Sequence, residues 1–92
     1  MQQKLLNIGF GNHIVADAVV AIISPNSAPV KRMKNEAAQT GRLVDATQGR
    51  KTRSVIVMSS NHVVLSAINP DTISMRFATL NGQGLTVQEY TR

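Results

Sequence analysis

The 92-residue sequence predicts an α+β domain: a small, mostly antiparallel sheet with one main helix and a short C-terminal helix. Three observations lead there. Short runs rich in Val, Ile and Leu are bounded by Gly, Pro, Asn and Ser, the pattern of strands. Two segments open on a polar cap followed closely by proline, the pattern of helix starts. The order is strands, helix, strands, helix, which suits one sheet with its helices on one side. The length allows one domain.

Leu5-Leu6-Asn7-Ile8 is the first apolar run and reads as a strand. Gly9-Phe10-Gly11-Asn12 breaks it, and His13-Ile14-Val15 resumes extended structure. Val19 to Ile23 reads as a buried strand from its β-branched content. Ser24-Pro25-Asn26 stops it, Ser27 is suited to cap a helix, and Pro29 is tolerated in a first turn. Val30, Met33 and Ala37 follow at helical spacing, and Gly41 suits a helix end, so a helix is expected over 28–40. Leu43-Val44-Asp45 is a short strand, and Thr47 to Thr52 is a polar loop. Ser54 to Met58 and His62 to Ala67 read as an antiparallel pair turned by Ser59-Ser60-Asn61. Asn69 and Pro70 start a second helix, running to about residue 78 and burying Ile73 and Phe77 at i,i+4 spacing. The domain therefore spans 1–78, and 79–92 is read as a tail, flexible or forming a small added strand.

Composition narrows the function. Cysteine is absent, which excludes disulfides, thiolate metal sites and a cysteine nucleophile. Residues 1–10 do not read as a signal peptide, and no apolar run nears the roughly 18 residues that span a bilayer. The expected location is the cytoplasm. His13 and His62 are the only histidines and lack the H-x-E or H-E-x-x-H spacing of metal sites. No Ser-His-Asp order or carboxylate pair stands out, so neither an enzyme nor a bound metal or cofactor is expected. Aromatics make up 3% of the chain, which leaves an aliphatic core and argues against stacking on single-stranded bases. A small aliphatic core also favours sharing surface with a second copy.

The net charge is +5, and Lys31, Arg32, Lys34, Arg42, Arg50, Lys51 and Arg53 supply seven of the ten basic residues. Such clustering fits a polyanion partner or a solvated face that aids solubility. Thr47 to Arg53 is the sharper feature. Gly49 lets the backbone come close to a phosphate, Arg50, Lys51 and Arg53 supply charge, and Thr47 can donate a neutral hydrogen bond. Strand alternation would put Lys51 and Arg53 opposite Arg50 unless the glycine bends the chain. Lys31, Arg32 and Lys34 sit near a helix start, where the dipole disfavours cations, a mild sign of another role. Gly9-Phe10-Gly11 lacks the third glycine and following helix of a dinucleotide loop, and reads as a tight turn or bulge.

Three ordered motifs, Ile8-Gly9-Phe10-Gly11-Asn12, Ser24 to Met33 and Asp45 to Arg53, closely resemble the RemA-like family of bacterial extracellular matrix regulatory proteins. The resemblance runs without gaps from about residue 4 to 77. It implies a DNA-binding transcriptional regulator, of the biofilm-matrix type in some bacteria. It also implies a ring-like homo-oligomer that binds, bends or wraps duplex DNA at the nucleoid. The family usually carries Arg-Arg after the loop glycine, where this chain has Arg50-Lys51. It often carries Asn-Arg where this chain has Asp17-Ala18. The DNA contacts expected are Gly49, Arg50, Lys51, Arg53 and Thr47, with Lys31, Arg32 and Lys34 beside them. An RNA-binding module and a purely structural oligomer are the rival readings.

Overall fold

A computed structural model of the chain describes residues 3–80. Strand β1 (Leu5–Gly9) and strand β2 (Asn12–Val15) form an antiparallel hairpin. A short 3-10 turn, Ala16–Ala18, which the sequence had not suggested, leads into β3 (Val19–Ile23). Helix α1 (Ala28–Gln39) follows, then β4 (Leu43–Asp45), β5 (Ser54–Met58), β6 (Val63–Ser66) and helix α2 (Pro70–Leu80). The fold is α+β with two sheets rather than one. The second sheet has the order β3-β5-β6-β4, antiparallel except for the parallel β4–β6 pair. Helix α2 ends two residues beyond the expected domain limit of 78, and the rest of the expected tail, 81–92, lies outside the described residues.

The caps behave as their residue types require. Ser27 accepts a hydrogen bond from Val30 N with Pro29 in the first turn of α1. Gly41 (φ +73°) ends that helix, and Arg42 N donates back to the Ala37 carbonyl at 2.8 Å, a Schellman closure. Asn69 Oδ1 accepts from Thr72 N at the start of α2.

The helices lie on opposite faces of the four-stranded sheet, which corrects the expectation of one side. Ala37 of α1 packs with Val55, Val63 and Leu65, joined by Val30 and Met33. Ile73 of α2 packs with Ile56, Met58 and Val64 on the other face, joined by Leu6 and Ile8 of the hairpin. The reason lies in β5 and β6. Their residues are buried almost without a break, so both faces must be covered, and their unbroken apolar runs are the mark of that. Each fully buried aliphatic side chain contributes roughly 1.5–3 kcal/mol.

The connection 46–53 follows from the strand order. Strands β4 and β5 flank β6, and Asp45 and Ser54 both stand at the C-terminal end of β6. The chain must therefore cross that end, a distance of about 10 Å for two strand spacings. Eight residues are more than the crossing needs, and the surplus forms a turn.

A buried serine pair joins the two sheets at this same end. Ser54 and Ser66 face each other across β5 and β6, and both are fully buried. Ser66 Oγ donates to the Ile8 carbonyl at 2.9 Å and accepts from Ile68 N at 3.0 Å. Ser54 Oγ donates to the Ile68 carbonyl. Replacing Ser66 by alanine strands the buried Ile8 carbonyl and the part-buried Ile68 N–H. We expect Ser66→Ala to lower the unfolding free energy by about 1–3 kcal/mol in urea titrations. The exposed Ser74→Ala should stay within about 0.5 kcal/mol of wild type.

Candidate nucleic-acid interface

One end of the four-stranded sheet gathers three connections: 24–27 after β3, 46–53 before β5, and 67–69 after β6. The tip of the β1–β2 hairpin joins them. Gly9 (φ +100°) presses there on Ile68, so that a Cβ at Gly9 would stand only 3.0 Å from Ile68 Cγ1.

Two adjoining clefts result. One, of about 340 Å³, is lined by Phe10, Arg50, Lys51, Arg53, Ala67 and Ile68. The other, of about 200 Å³, shares Lys51 and Arg53 and continues past Pro25 and Asn26 to Asn69 and Pro70. All three basic residues of the loop thus line one surface. Strand alternation does not separate them, because β5 begins only at Ser54. Both helices start at this rim, α1 just after Asn26 and α2 at Pro70. Helix starts carry partial positive charge, which adds to that of the side chains.

The loop is built from beneath. Arg50 N donates to the Thr47 carbonyl at 3.0 Å, closing a turn whose central residues, Gln48 and Gly49, have φ of +55° and +79°. These are the φ values of a type I′ turn, which glycine adopts freely. A Cβ at Gly49 would meet open space, so the positive φ is what requires glycine here. Asp45 Oδ1 accepts from Thr47 N at 2.9 Å and from Thr47 Oγ1 at 2.6 Å. Thr47 is only 3% exposed. Its hydroxyl, expected to face a phosphate, is committed inside the turn; its role is to hold the turn. The Thr47 hydroxyl and amide, with a smaller influence from Lys34, hold the Asp45 carboxyl below its usual value of 3.8.

The basic residues of α1 are elsewhere. Lys31 and Arg32 are exposed, Lys34 is half-buried towards Asp45, and none of the three lines either cleft. Asp17 is exposed, while Ala18 packs against the core and its carbonyl accepts from Ser59 N at 2.7 Å. His13 lines a separate cavity of about 240 Å³ with Asp45 and Gln48. Among the described residues, no group of three or more His, Cys, Asp or Glu could hold a metal ion. No helix among them is long and apolar enough to cross a membrane.

Phe10 was missed by the sequence reading. It is 49% exposed, and the Arg50 guanidinium lies over its ring, 6.0 Å from the centroid. Its signal was present: an aromatic residue between two glycines, in a turn where Asn or Asp would be ordinary. Its φ of +55° costs about 1 kcal/mol or more in a residue with a Cβ.

The geometry can be set beside known proteins. The sequence profile described as extracellular matrix regulatory protein A-like matches residues 5–77. The chain belongs to the RemA-like family. A relative from Desulfosudis oleivorans, provisionally named a regulatory protein, is 70% identical over 84 residues, covering 91% of this chain and 87% of its own. One from Oleidesulfovibrio alaskensis with the same name is 63% identical over 76 residues, covering 83% and 90%. Another from Thermotoga maritima, again so named, is 60% identical over 73 residues, covering 79% of each chain. The RemA-like match includes both turns of the site and ends three residues before α2 does.

The lowered Asp45 pKa carries a pH dependence in this RemA-like protein. A carboxyl with a depressed folded pKa stabilises the fold above its unfolded value, and that stabilisation is lost as pH falls through the folded value. Wild type should therefore exceed Asp45→Asn in thermal midpoint at pH 7, and the gap should narrow steadily below pH 3.8. A gap constant from pH 7 to pH 2.5 would remove Asp45 as the charged anchor of the turn.

Proposed function

We propose that this RemA-like protein is a transcriptional regulator that binds duplex DNA through the basic clefts at one end of its sheet. The observation carrying the proposal is the convergence of Arg50, Lys51 and Arg53 on one surface, within a chain of net charge +5. The nearby acid, Asp45, is exposed, but it accepts from Thr47 and lines neither cleft. Neither cleft is lined by an acid, and cationic surfaces bind phosphate chiefly by releasing counterions. Arg50 offers a bidentate fork; Lys51 offers a point charge that serves phosphate better than base edges. Gly49 keeps the backbone of the turn clear for a close approach. Lys31, Arg32 and Lys34 play at most a long-range electrostatic part.

Three phosphate contacts per chain bind weakly, so the proposal includes a homo-oligomer, ring-like as in the family resemblance, that presents several copies at once. Exposed aliphatic side chains support self-association. Val20 on β3 is 65% exposed and Val44 on β4 is 46% exposed, and these are the two edge strands of the sheet. Repeated contacts around such an assembly would bend or wrap DNA, so that deformability contributes to selectivity. The setting proposed is the cytoplasmic nucleoid, and control of biofilm-matrix genes is the family's version of the role.

Arg50→Ala should abolish gel-shift binding at moderate salt and leave the assembled mass by light scattering unchanged. Lys51→Ala should weaken binding to all sequences alike and reduce the slope of log affinity on log salt by about 1. Wild-type affinity in Arg50→Ala would sink the proposal. Preferential competition by RNA would favour an RNA-binding module, and no binding at low salt would leave a structural oligomer.

A further inference from the structure

We infer that Phe10 is a positioning residue for DNA binding, acting by holding the Arg50 guanidinium over its ring. The inference rests on the duplex-binding reading above and names a residue which that reading does not need. Three observations carry it. First, Phe10 contributes little to the core, since about half of it is exposed. Second, it occupies a turn position that its side chain disfavours, at φ +55° between Gly9 at +100° and Gly11 at +77°. A turn chosen for stability alone would carry Asn or Gly there. Third, its ring faces the first residue of the basic run, with the Arg50 guanidinium 6.0 Å from the centroid in a cleft shared with Lys51 and Arg53.

Strain at a half-exposed site outside the core points to function. The physical role follows from the arginine. Arg50 is exposed on a tight turn, and its long side chain samples many rotamers in water. An ion pair with phosphate must order that chain, which offsets part of the attraction. A ring beneath the guanidinium restricts it before DNA arrives, and the ring's negative face favours the cation. The ring is itself well placed. The hairpin tip rests on Ile68, and Ile68 is fixed by Ser54 and Ser66.

The test measures duplex affinity by fluorescence anisotropy and thermal midpoint together, in Phe10→Asn, Phe10→Leu, Phe10→Tyr, Arg50→Ala and the Phe10→Asn/Arg50→Ala double variant. Phe10→Asn should raise the thermal midpoint, because Asn tolerates positive φ, and weaken binding about two- to fivefold, the worth of an exposed cation–π contact. A merely structural Phe10 would not show these opposite signs. Phe10→Leu keeps an apolar side chain without a π face and should lose the same affinity. Phe10→Tyr should bind within about twofold of wild type, as expected for an interaction carried by the ring face. At low salt, where Arg50→Ala retains measurable binding, Phe10→Asn should cause no further loss in the Arg50→Ala background. Wild-type affinity in Phe10→Asn or Phe10→Leu, with Arg50→Ala impaired, overturns the inference and leaves the duplex-binding reading intact. Equal loss from Phe10→Asn in both backgrounds also overturns it, since Phe10 would then act independently of Arg50. Wild-type affinity in Arg50→Ala overturns both.

Discussion

The buried hydroxyl of Ser66 is the contact on which the rest of the structure depends. It lies where β6 ends, and through it the end of β1 is tied to the start of the segment leading to α2. Among the described residues, the hairpin is otherwise held by apolar packing and by the hydrogen bonds that Arg76 and Lys4 make between it and α2. Hydrogen bonds are directional, and a buried one is costly to leave unmade. The serine pair therefore holds Ile68 at both its N–H and its carbonyl. The hairpin tip and the basic crossover are then located relative to Ile68. A site spread over four chain segments gains a common origin in this way.

Two turns in the site have the same backbone form. Phe10-Gly11 at the hairpin tip and Gln48-Gly49 in the crossover both combine a residue bearing a Cβ at positive φ with a glycine behind it. Each sacrifices some stability, and each is held by its surroundings, the first by the strands of the hairpin and the second by Asp45 and Thr47. The crossover is the better anchored, because the buried Thr47 donates both its amide and its hydroxyl to Asp45. Asp45 is itself exposed but lines neither basic cleft, so the lining of those clefts carries no acid.

Much of the fold was legible in the sequence, for local reasons. Ser27, Pro29 and Gly41 mark α1 because capping is decided within a few residues. The continuous runs Val55 to Met58 and Val63 to Leu65 mark two buried strands, and the same continuity could have shown that both faces are covered. The parallel pairing of β4 with β6 was hidden, since a three-residue strand carries no register signal and its partner lies 20 residues away. Within the site, the charge of Arg50, Lys51 and Arg53 was plain. The inward turn of Thr47 was not, although an aspartate two residues before a threonine can signal such a local bond. Phe10 escaped notice because its partner is 40 positions distant in sequence. Reading aromatic content as a fraction of the chain also concealed that one aromatic stands at a tip.

The crossover of residues 46–53 has a consequence for how the chain comes into being. This segment spans the end of a strand that is synthesised after it, because β6 follows β5 and yet lies between β5 and β4. A chain emerging from the ribosome as far as Arg53 already carries every basic residue of the loop but has no strand for the loop to cross. The serine pair is equally incomplete until Ser66 has been made. The ordered cationic surface is thus a property of the finished sheet, and a partly made or partly unfolded copy presents only loose charge. Assembly of the site reports that the domain is whole.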